Sequence, residues 1–193
     1  MNNLKDSKEF KNEVKLTGQV HFLSSTNKSE KYYGIAIRHE NDSLGSHRKD
    51  FLNVRISPKD LQEKVKSFNE GDFIEVKGKL SSSKGSGELY LSVEDLIEYN
   101  SDAEIINEVK LTGYVHKIKA QSEGETGSGK YIRFALRQED EYEVKEYLVV
   151  RVYDEKLRRE FALKNDDEYV EVEGTLRSSK GSGVNYIRCV SLK

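Results

Sequence analysis

The sequence predicts an all-β chain made of two similar domains in tandem, each with one short helix. The main observation is an internal duplication. Residues 12–21 (NEVKLTGQVH) and 107–116 (NEVKLTGYVH) agree at nine of ten positions, and residues 72–87 match residues 168–183. A second observation is that apolar and polar residues alternate through most of each copy, which is typical of half-buried strands. Two copies of this length are too few for a solenoid and indicate two homologous domains.

The spacing between matching residues sets the predicted domain boundaries. This spacing stays within 95 to 99 residues along the whole chain. We therefore expect a polar N-terminal tail at 1–10, a first domain at 11–99, a short linker at 100–106 and a second domain at 107–193.

Each copy is predicted to contain three strands, a helix and two further strands. The five predicted strands of the second copy are residues 108–116, 130–138, 146–153, 169–176 and 185–192. Gly113 interrupts the apolar alternation of the first of them, which indicates a bulge or bend there.

The helix of the second copy is predicted at 154–163, with Asp154 as its N-cap. In the first copy Ser57 would be the cap and Pro58 the first helical residue. Apolar residues at helical spacing are expected to face the core, namely Leu157, Phe161 and Ala162 in the second copy and Leu61, Val65 and Phe68 in the first.

This strand order, with a helix between strands three and four, is that of the OB-fold, a five-stranded barrel. The sequence therefore predicts two tandem five-stranded OB-fold barrels. NEVKLTGYV at the start of the domain, the turns NEGD (69–72) and KNDD (164–167), and VEVEGTL (170–176) resemble the bacterial single-stranded DNA-binding protein family. The resemblance covers nearly the whole chain.

The family resemblance implies non-enzymatic binding of single-stranded DNA with little sequence preference. The chain departs from the family in having no tryptophan, on which family members often stack bases, and no acidic tail after the last strand. Typical members carry one OB domain per chain and assemble as tetramers. The resemblance therefore implies that a homodimer of this chain would supply four OB folds.

Composition restricts the cellular setting. No apolar run approaches the length of a membrane span. The N-terminus is polar, and Cys189 is the only cysteine, so we expect a cytoplasmic protein without an internal disulfide. The net charge is −2, whereas a strongly basic chain would itself indicate nucleic-acid binding. A basic surface therefore has to arise by sorting charge onto one face.

The outward residues of the predicted binding face are aromatic and basic. Oligonucleotides lie across strands two and three of an OB-fold and its 1–2 and 4–5 loops. Aromatic rings stack on bases, contributing about 1–3 kcal/mol per base, and cations meet phosphates. The candidate nucleic-acid-binding residues are Tyr32, Arg38, Phe51, Asn53, Arg55, Lys84, Tyr90, Tyr114, Lys130, Tyr131, Arg133, Arg137, Tyr147, Arg151, Tyr153, Arg177, Lys180 and Tyr186.

Loops contribute four of these candidates. We place Lys84, Arg177 and Lys180 in the 4–5 loops and Lys130 in the 1–2 loop. The sequence SSKGSG is identical in both 4–5 loops, which fits either a flexible hairpin tip or a lysine-tipped finger over a bound strand. The second copy has the richer set of outward residues, so we expect it to contribute more of the affinity.

Other motifs do not indicate catalysis or a cofactor. GETGSGK (124–130) resembles a phosphate-binding loop, but Tyr131 replaces the required Ser or Thr, and a strand follows instead of a helix. The histidines and Cys189 lack metal-ligand spacing, and no nucleophile has a recognisable base beside it. Cys189 aligns with Val93 at an inward position and is expected in the core. We predict no catalytic residue, no metal and no cofactor.

Two alternatives stay open at this stage. The stacking face would also serve single-stranded RNA. OB folds also act as protein-interaction modules, either adaptors or inhibitors, and a fold alone does not give a function. A membrane or a small-molecule substrate is not indicated. The sequence does not distinguish replication from recombination or another DNA process.

Overall fold

The chain is mostly β with one short helix in each half, which confirms that part of the predicted fold class. The computed structural model describes residues 10–23, 31–41, 48–99, 104–118, 123–126, 129–140 and 142–193. The elements are β1 (Asn12–Phe22), β2 (Tyr33–Asn41), β3 (Arg48–Ile56), α1 (Lys59–Lys66), β4 (Phe73–Ser82), β5 (Leu89–Glu98), β6 (Asn107–Lys117), β7 (Glu123–Thr126), β8 (Gly129–Glu139), β9 (Lys145–Val152), α2 (Glu155–Ala162), β10 (Tyr169–Ser178) and β11 (Asn185–Leu192).

Strand pairing closes a ring in each half of the chain. In half one, which is β1 to β5 with α1, β1 pairs with β2 and β4, β2 with β3, and β5 with β3 and β4. In half two, which is β6 to β11 with α2, the ring strands β6, β8, β9, β10 and β11 repeat these pairings. The helix lies between the third and fourth ring strands in both halves, which is consistent with an OB fold.

The inward-facing residues of both rings form one apolar core. Leu16 of β1 and its counterpart Leu111 of β6 are fully buried. In half two the ring of Phe161 from α2 stacks on Phe134, with 4.4 Å between ring centroids. Cys189 lies in this core as predicted, and burial raises the pKa of its thiol to about 12. No helix among the described residues has the length and apolar character needed to cross a membrane.

The helix ends differ from the prediction at three residues. Pro58 is the N-cap of α1 with extended backbone, so it is not the first helical residue, and Ser57 does not cap the helix. Asp154 caps α2 as predicted, because its side chain accepts a hydrogen bond from the Leu157 backbone N–H at 2.9 Å. Ala162 is exposed rather than buried, since it is the last residue of α2 and lies beyond the part that covers the core.

The segment predicted as the 1–2 loop of half two contains an additional strand. Strand β7 pairs antiparallel with 129–132 at the start of β8. Gly129, the first residue of β8, has a φ of 101°, which favours glycine. The described residues of GETGSGK therefore lie on two paired strands, and Lys130 lies on a strand instead of in a loop. Residues 127 and 128 of this motif, the tail residues 1–9, the linker residues 100–103 and the half-one segment 24–30 are outside the described residues.

The glycines of the ring allow strands to cross closely. The predicted bulge or bend at Gly113 is not where the register shifts; the shifts lie beside Gly78 and Gly174. A Cβ atom at Gly113 would lie 2.7 Å from the Arg137 carbonyl oxygen. This glycine is needed for the close approach of β8.

Equivalent residues of the two halves meet across an approximate twofold axis. Strand β1 pairs antiparallel with β6, and Val14 lies opposite its own counterpart, Val109. Leu89 of β5 lies opposite Asn185, its counterpart in β11. Because each of these pairs joins equivalent positions, an approximate twofold rotation relates the halves.

A buried ionic cluster joins β3 of half one to β10 of half two. The Asp50 carboxylate lies 3.0 Å from Nε of Arg177 and 3.1 Å from Nη2 of Arg48. It also accepts a hydrogen bond from the Ser178 backbone N–H at 3.0 Å. Arg177 is therefore 7% exposed within β10, and its predicted position in an exposed 4–5 loop is wrong.

The twofold counterpart of this cluster lacks the arginines. Glu146 of β9 occupies the place of Asp50 and accepts hydrogen bonds from the Ser81 hydroxyl and the Ser82 backbone N–H. Burial raises the pKa of Glu146. Replacing Asp50 with Asn should therefore lower the free energy of unfolding far more than replacing Glu146 with Gln.

We expect Asp50→Asn to lower the free energy of unfolding at pH 7 by about 3–5 kcal/mol, because it leaves Arg177 buried without its counter-ion. Glu146→Gln is the matched control and should change it by about 1 kcal/mol or less, since burial already disfavours that charge. Urea denaturation of both variants measures the difference. Equal losses would show that the arginines do not depend on Asp50.

A buried histidine makes stability depend on pH. His39 of β2 is 1% exposed, and its Nδ1 lies 2.8 Å from the Thr17 carbonyl oxygen. In half two the counterpart Gln138 donates to the Thr112 carbonyl oxygen at the same distance. Burial lowers the pKa of His39 below 6.5, because desolvation outweighs the raising effects of the Thr17 hydrogen bond and of Asp50. The folded chain therefore binds a proton here less readily than the unfolded chain.

The stability contributed by neutral His39 is complete above pH 6.5 and should be lost as the pH falls from there towards the lowered pKa. We expect His39→Gln, which copies half two, to keep the hydrogen bond and to flatten the stability profile on the acid side of pH 6.5. Denaturation midpoints measured across this range test the prediction. An unchanged slope would mean that other groups cause the pH dependence.

Candidate nucleic-acid interface

Each half carries an arginine held between two tyrosine rings on its outer face. In half one the Arg55 guanidinium lies 3.7 Å from the Tyr90 ring centroid and 4.8 Å from the Tyr32 centroid. It also donates to the Ser83 hydroxyl at 2.7 Å. We call these four residues the half-one cluster. Strands β3 and β5 supply Arg55 and Tyr90, Tyr32 immediately precedes β2, and Ser83 immediately follows β4.

Half two repeats this arrangement with equivalent residues. The Arg151 guanidinium lies 4.0 Å from the Tyr186 centroid and 5.0 Å from the Tyr131 centroid. It donates to the Ser179 hydroxyl at 3.0 Å. These four residues form the half-two cluster. Its Tyr186 is only 3% exposed, so this ring packs under Arg151 and offers no open face for stacking. Burial raises the pKa of the Tyr186 hydroxyl.

The half-two cluster belongs to a row of three arginines on neighbouring strands. Arg133 of β8 and Arg188 of β11 lie on either side of Arg151 of β9 in the strand register. Neighbouring strands are about 4.8 Å apart, so these cations repel one another. Among the described residues none of the three has a carboxylate within 4 Å. In half one the matching row is Gly34, Arg55 and Ser92, which holds a single cation.

A second aromatic pair lies on the first and third ring strands of each half. The rings of His21 and Phe51 are 5.1 Å apart in half one, and those of His116 and Tyr147 are 5.0 Å apart in half two. Phe51 is 42% exposed and Tyr147 is 38% exposed. The two halves therefore present matching exposed rings next to an imidazole.

The glycine-rich loop of half two reaches across the junction between the halves. Asn53 of β3 donates from its side chain to the Gly183 carbonyl oxygen at 3.3 Å. Its backbone N–H donates to the Asn185 side chain at 3.2 Å. The half-two SSKGSG loop thus lies against the outer face of half one, with Lys180 exposed in the loop. Lys84 is exposed in the corresponding loop of half one.

Tyr114, Arg137 and Arg38 are predicted site residues on the first and second ring strands, apart from both clusters. Tyr114 packs against Phe10 at 5.8 Å and against Tyr169 at 5.4 Å. Arg137 lies over the Tyr114 ring at 5.3 Å and pairs with Asp167 at 3.1 Å. In half one Arg38 is ion-paired with Glu40. Both arginines therefore already have carboxylate partners.

The sequence reasoning missed Arg188 and the two cluster serines. Arg188 follows Tyr186 by two residues on β11, so the alternation that selected Tyr186 would also have selected Arg188. Its guanidinium lies 5.0 Å from the Tyr153 ring centroid. The serines had no distinguishing signal beyond the repeat itself. The described residues contain no group of three or more side chains suited to holding a metal ion.

Comparison with known proteins gives fold neighbours only. The wild-type single-stranded DNA binding protein from Thermus aquaticus matches 96% of this chain and 93% of its own length, at a TM-score of 0.72 and 17% identity. A deletion mutant of that protein matches 95% of this chain and 94% of its own length, also at 0.72 and 17%. The chain is similar in fold to a bacterial single-stranded DNA binding protein. This confirms the resemblance expected from the sequence at the level of fold.

A further match is partial. The N-terminal domain of the PriB protein from Thermoanaerobacter tencongensis covers 47% of this chain at a TM-score of 0.37 and 24% identity, a score too low to bear on the fold. No protein-family model and no curated protein matches the sequence.

Proposed function

We propose that this chain binds single-stranded DNA with little sequence preference and catalyses no reaction. The observation that carries the proposal is the repeated tyrosine–arginine–tyrosine cluster on the outer face of each half. Such a cluster combines a partly exposed ring for a base, Tyr32 in half one and Tyr131 in half two, with a cation for the phosphate backbone, and neither element reads a base sequence. The fold similarity to a protein that binds single-stranded DNA, over nearly the full length of both chains, supports the proposal.

The proposed domain organisation follows from the two closed rings. Each ring is one five-stranded OB-fold barrel, with the first domain at 11–99, the linker at 100–106 and the second domain at 107–193, after a tail at 1–10. The 4–5 loops act as lysine-tipped fingers, since Ser83 and Ser179 at their bases hold the cluster arginines. Two such chains in a homodimer would supply four barrels to one strand.

The net charge of −2 is compatible with this function. Carboxylates are paired away from the clusters, as in the contact of Asp167 with Arg137 and of Glu171 with Lys11 at 3.6 Å. The arginine row of half two has no such partner among the described residues. An anionic strand is attracted by the local cations rather than by the total charge.

Single-stranded RNA and a protein partner are the competing ligands. RNA offers the same bases and phosphates to the clusters, so only a direct comparison separates it from DNA. A protein partner would have to supply several carboxylates to match the arginine row. That row favours a polyanion as the ligand.

We expect tight binding of a labelled oligo-dT of a few tens of nucleotides at low salt, with affinity falling steeply as salt rises, because bound phosphates release counter-ions. Fluorescence anisotropy measures this, with the matched duplex and an oligo-U of the same length as controls. Weaker binding of both controls supports the proposal. Equal binding of oligo-U would reassign the ligand to single strands in general, and no binding of oligo-dT at low salt would refute the proposal.

We further expect half two to contribute more affinity than half one. Tyr147→Ala and Phe51→Ala are matched variants, because both rings are exposed and occupy equivalent positions. Loss of one stacked base costs about 1–3 kcal/mol of binding free energy. We therefore predict a Kd about tenfold higher for Tyr147→Ala and a smaller increase for Phe51→Ala. Anisotropy titrations compare them, and similar losses would contradict the unequal contribution.

A further inference from the structure

A surface groove in half two extends the outer face beyond the half-two cluster. It has a volume of about 540 Å³ and lies between the start of α2 and β11. Its walls include Tyr153, Arg188, Leu157 and Val190. The groove thus offers an aromatic ring, a cation and apolar side chains in one place.

The groove is continuous with the half-two cluster. The Tyr153 ring is 5.2 Å from the ring of Tyr131, and its hydroxyl is 3.5 Å from the Thr126 hydroxyl of β7. Arg188 lies beside Arg151 in the strand register and over the Tyr153 ring. A ligand lying on the cluster can therefore pass directly into the groove.

The fold does not require the groove residues. In half one the counterparts of Tyr153 and Arg188 are Ser57 and Ser92, which occupy the same positions after β3 and on β5. Half one forms the same ring of strands with these two serines. The tyrosine and the arginine of half two are therefore not needed to close the ring, and Arg188 adds positive charge beside Arg151 at some cost in repulsion.

The charges around the groove determine how a nucleotide would lie in it. Asp154 is on the helix side, where its carboxylate accepts the capping hydrogen bond from the Leu157 N–H. Lys156 on the same rim is 3.8 Å from Glu160. A phosphate is repelled from the Asp154 side and attracted to Arg188. The base is then directed to Tyr153 and the apolar wall.

We propose that this groove is a further nucleotide subsite, which holds one additional base and phosphate of a single strand already bound on the half-two cluster. The inference rests on the proposed function and deepens it. The bound strand would run from the clusters past Tyr131 and leave the protein beside α2. Half one has no equivalent subsite, so the strand path is longer in half two.

The test exchanges the groove residues for those of half one. The double variant Tyr153→Ser/Arg188→Ser is compared with Tyr142→Ser/Arg159→Ser, which makes the same changes of side chain and charge at exposed positions away from the clusters. Tyr142 is 78% exposed, and the Arg159 side chain is 79% exposed. Arg188→Gln alone serves as a milder variant, and denaturation midpoints establish that each protein is folded.

Anisotropy is measured with an oligo-dT series of increasing length. We expect a smaller loss on the shortest oligonucleotides that bind, because Arg188 also belongs to the arginine row, and binding about 5- to 20-fold weaker on longer ones, which reach the groove. Arg188→Gln should show part of that loss, and the control pair little of it. An equal loss at every length, or no loss at any length, would overturn the subsite. If the wild type bound no oligonucleotide, the proposed function itself would fail, which is a different result.

Discussion

The antiparallel pairing of β1 with β6 is the contact on which the rest of the structure depends. It aligns Val14 with Val109 and thereby relates the two rings by an approximate twofold rotation. That rotation brings β3 of half one against β10 of half two, where Asp50 meets Arg177, and it brings β9 against the end of β4. The half-two glycine-rich loop then lies on the neighbouring half. The two halves are therefore one structural unit, and their outer faces have a fixed relation.

The two halves share their strand arrangement but differ in the side chains at the junction and on the outer face. The tyrosine–arginine–tyrosine–serine cluster is present in both, with closely similar distances. The ionic cluster at the junction is not symmetric, since Asp50 has two arginine partners and Glu146 has two serines. The outer faces also differ, and there half two has the additional cations, Arg133 and Arg188. The ionic cluster adjoins the half-two cluster, because the Arg48 side chain of half one is hydrogen-bonded to Tyr186.

The sequence predicted the fold class and much of the face because both follow from local patterns. Alternation along a strand identifies Tyr131, Arg151 and Phe51 without any knowledge of their neighbours. It failed for Arg177, whose burial depends on a carboxylate 127 positions away in the other half. It could not show that Arg38 and Arg137 are neutralised by acidic neighbours, and it did not anticipate β7. Contacts between distant segments, rather than the segments themselves, account for these errors.

The energetic cost of the arginine row favours an anionic ligand. Arg133, Arg151 and Arg188 lie on adjacent strands, and the described residues supply no carboxylate within reach of them. Half one has Gly34 and Ser92 at two of these three positions and forms the same ring, so closing the ring does not require the additional cations. Like charges at this spacing destabilise the folded chain. A bound row of phosphates would remove that repulsion, which gives the row a physical reason that folding alone does not provide.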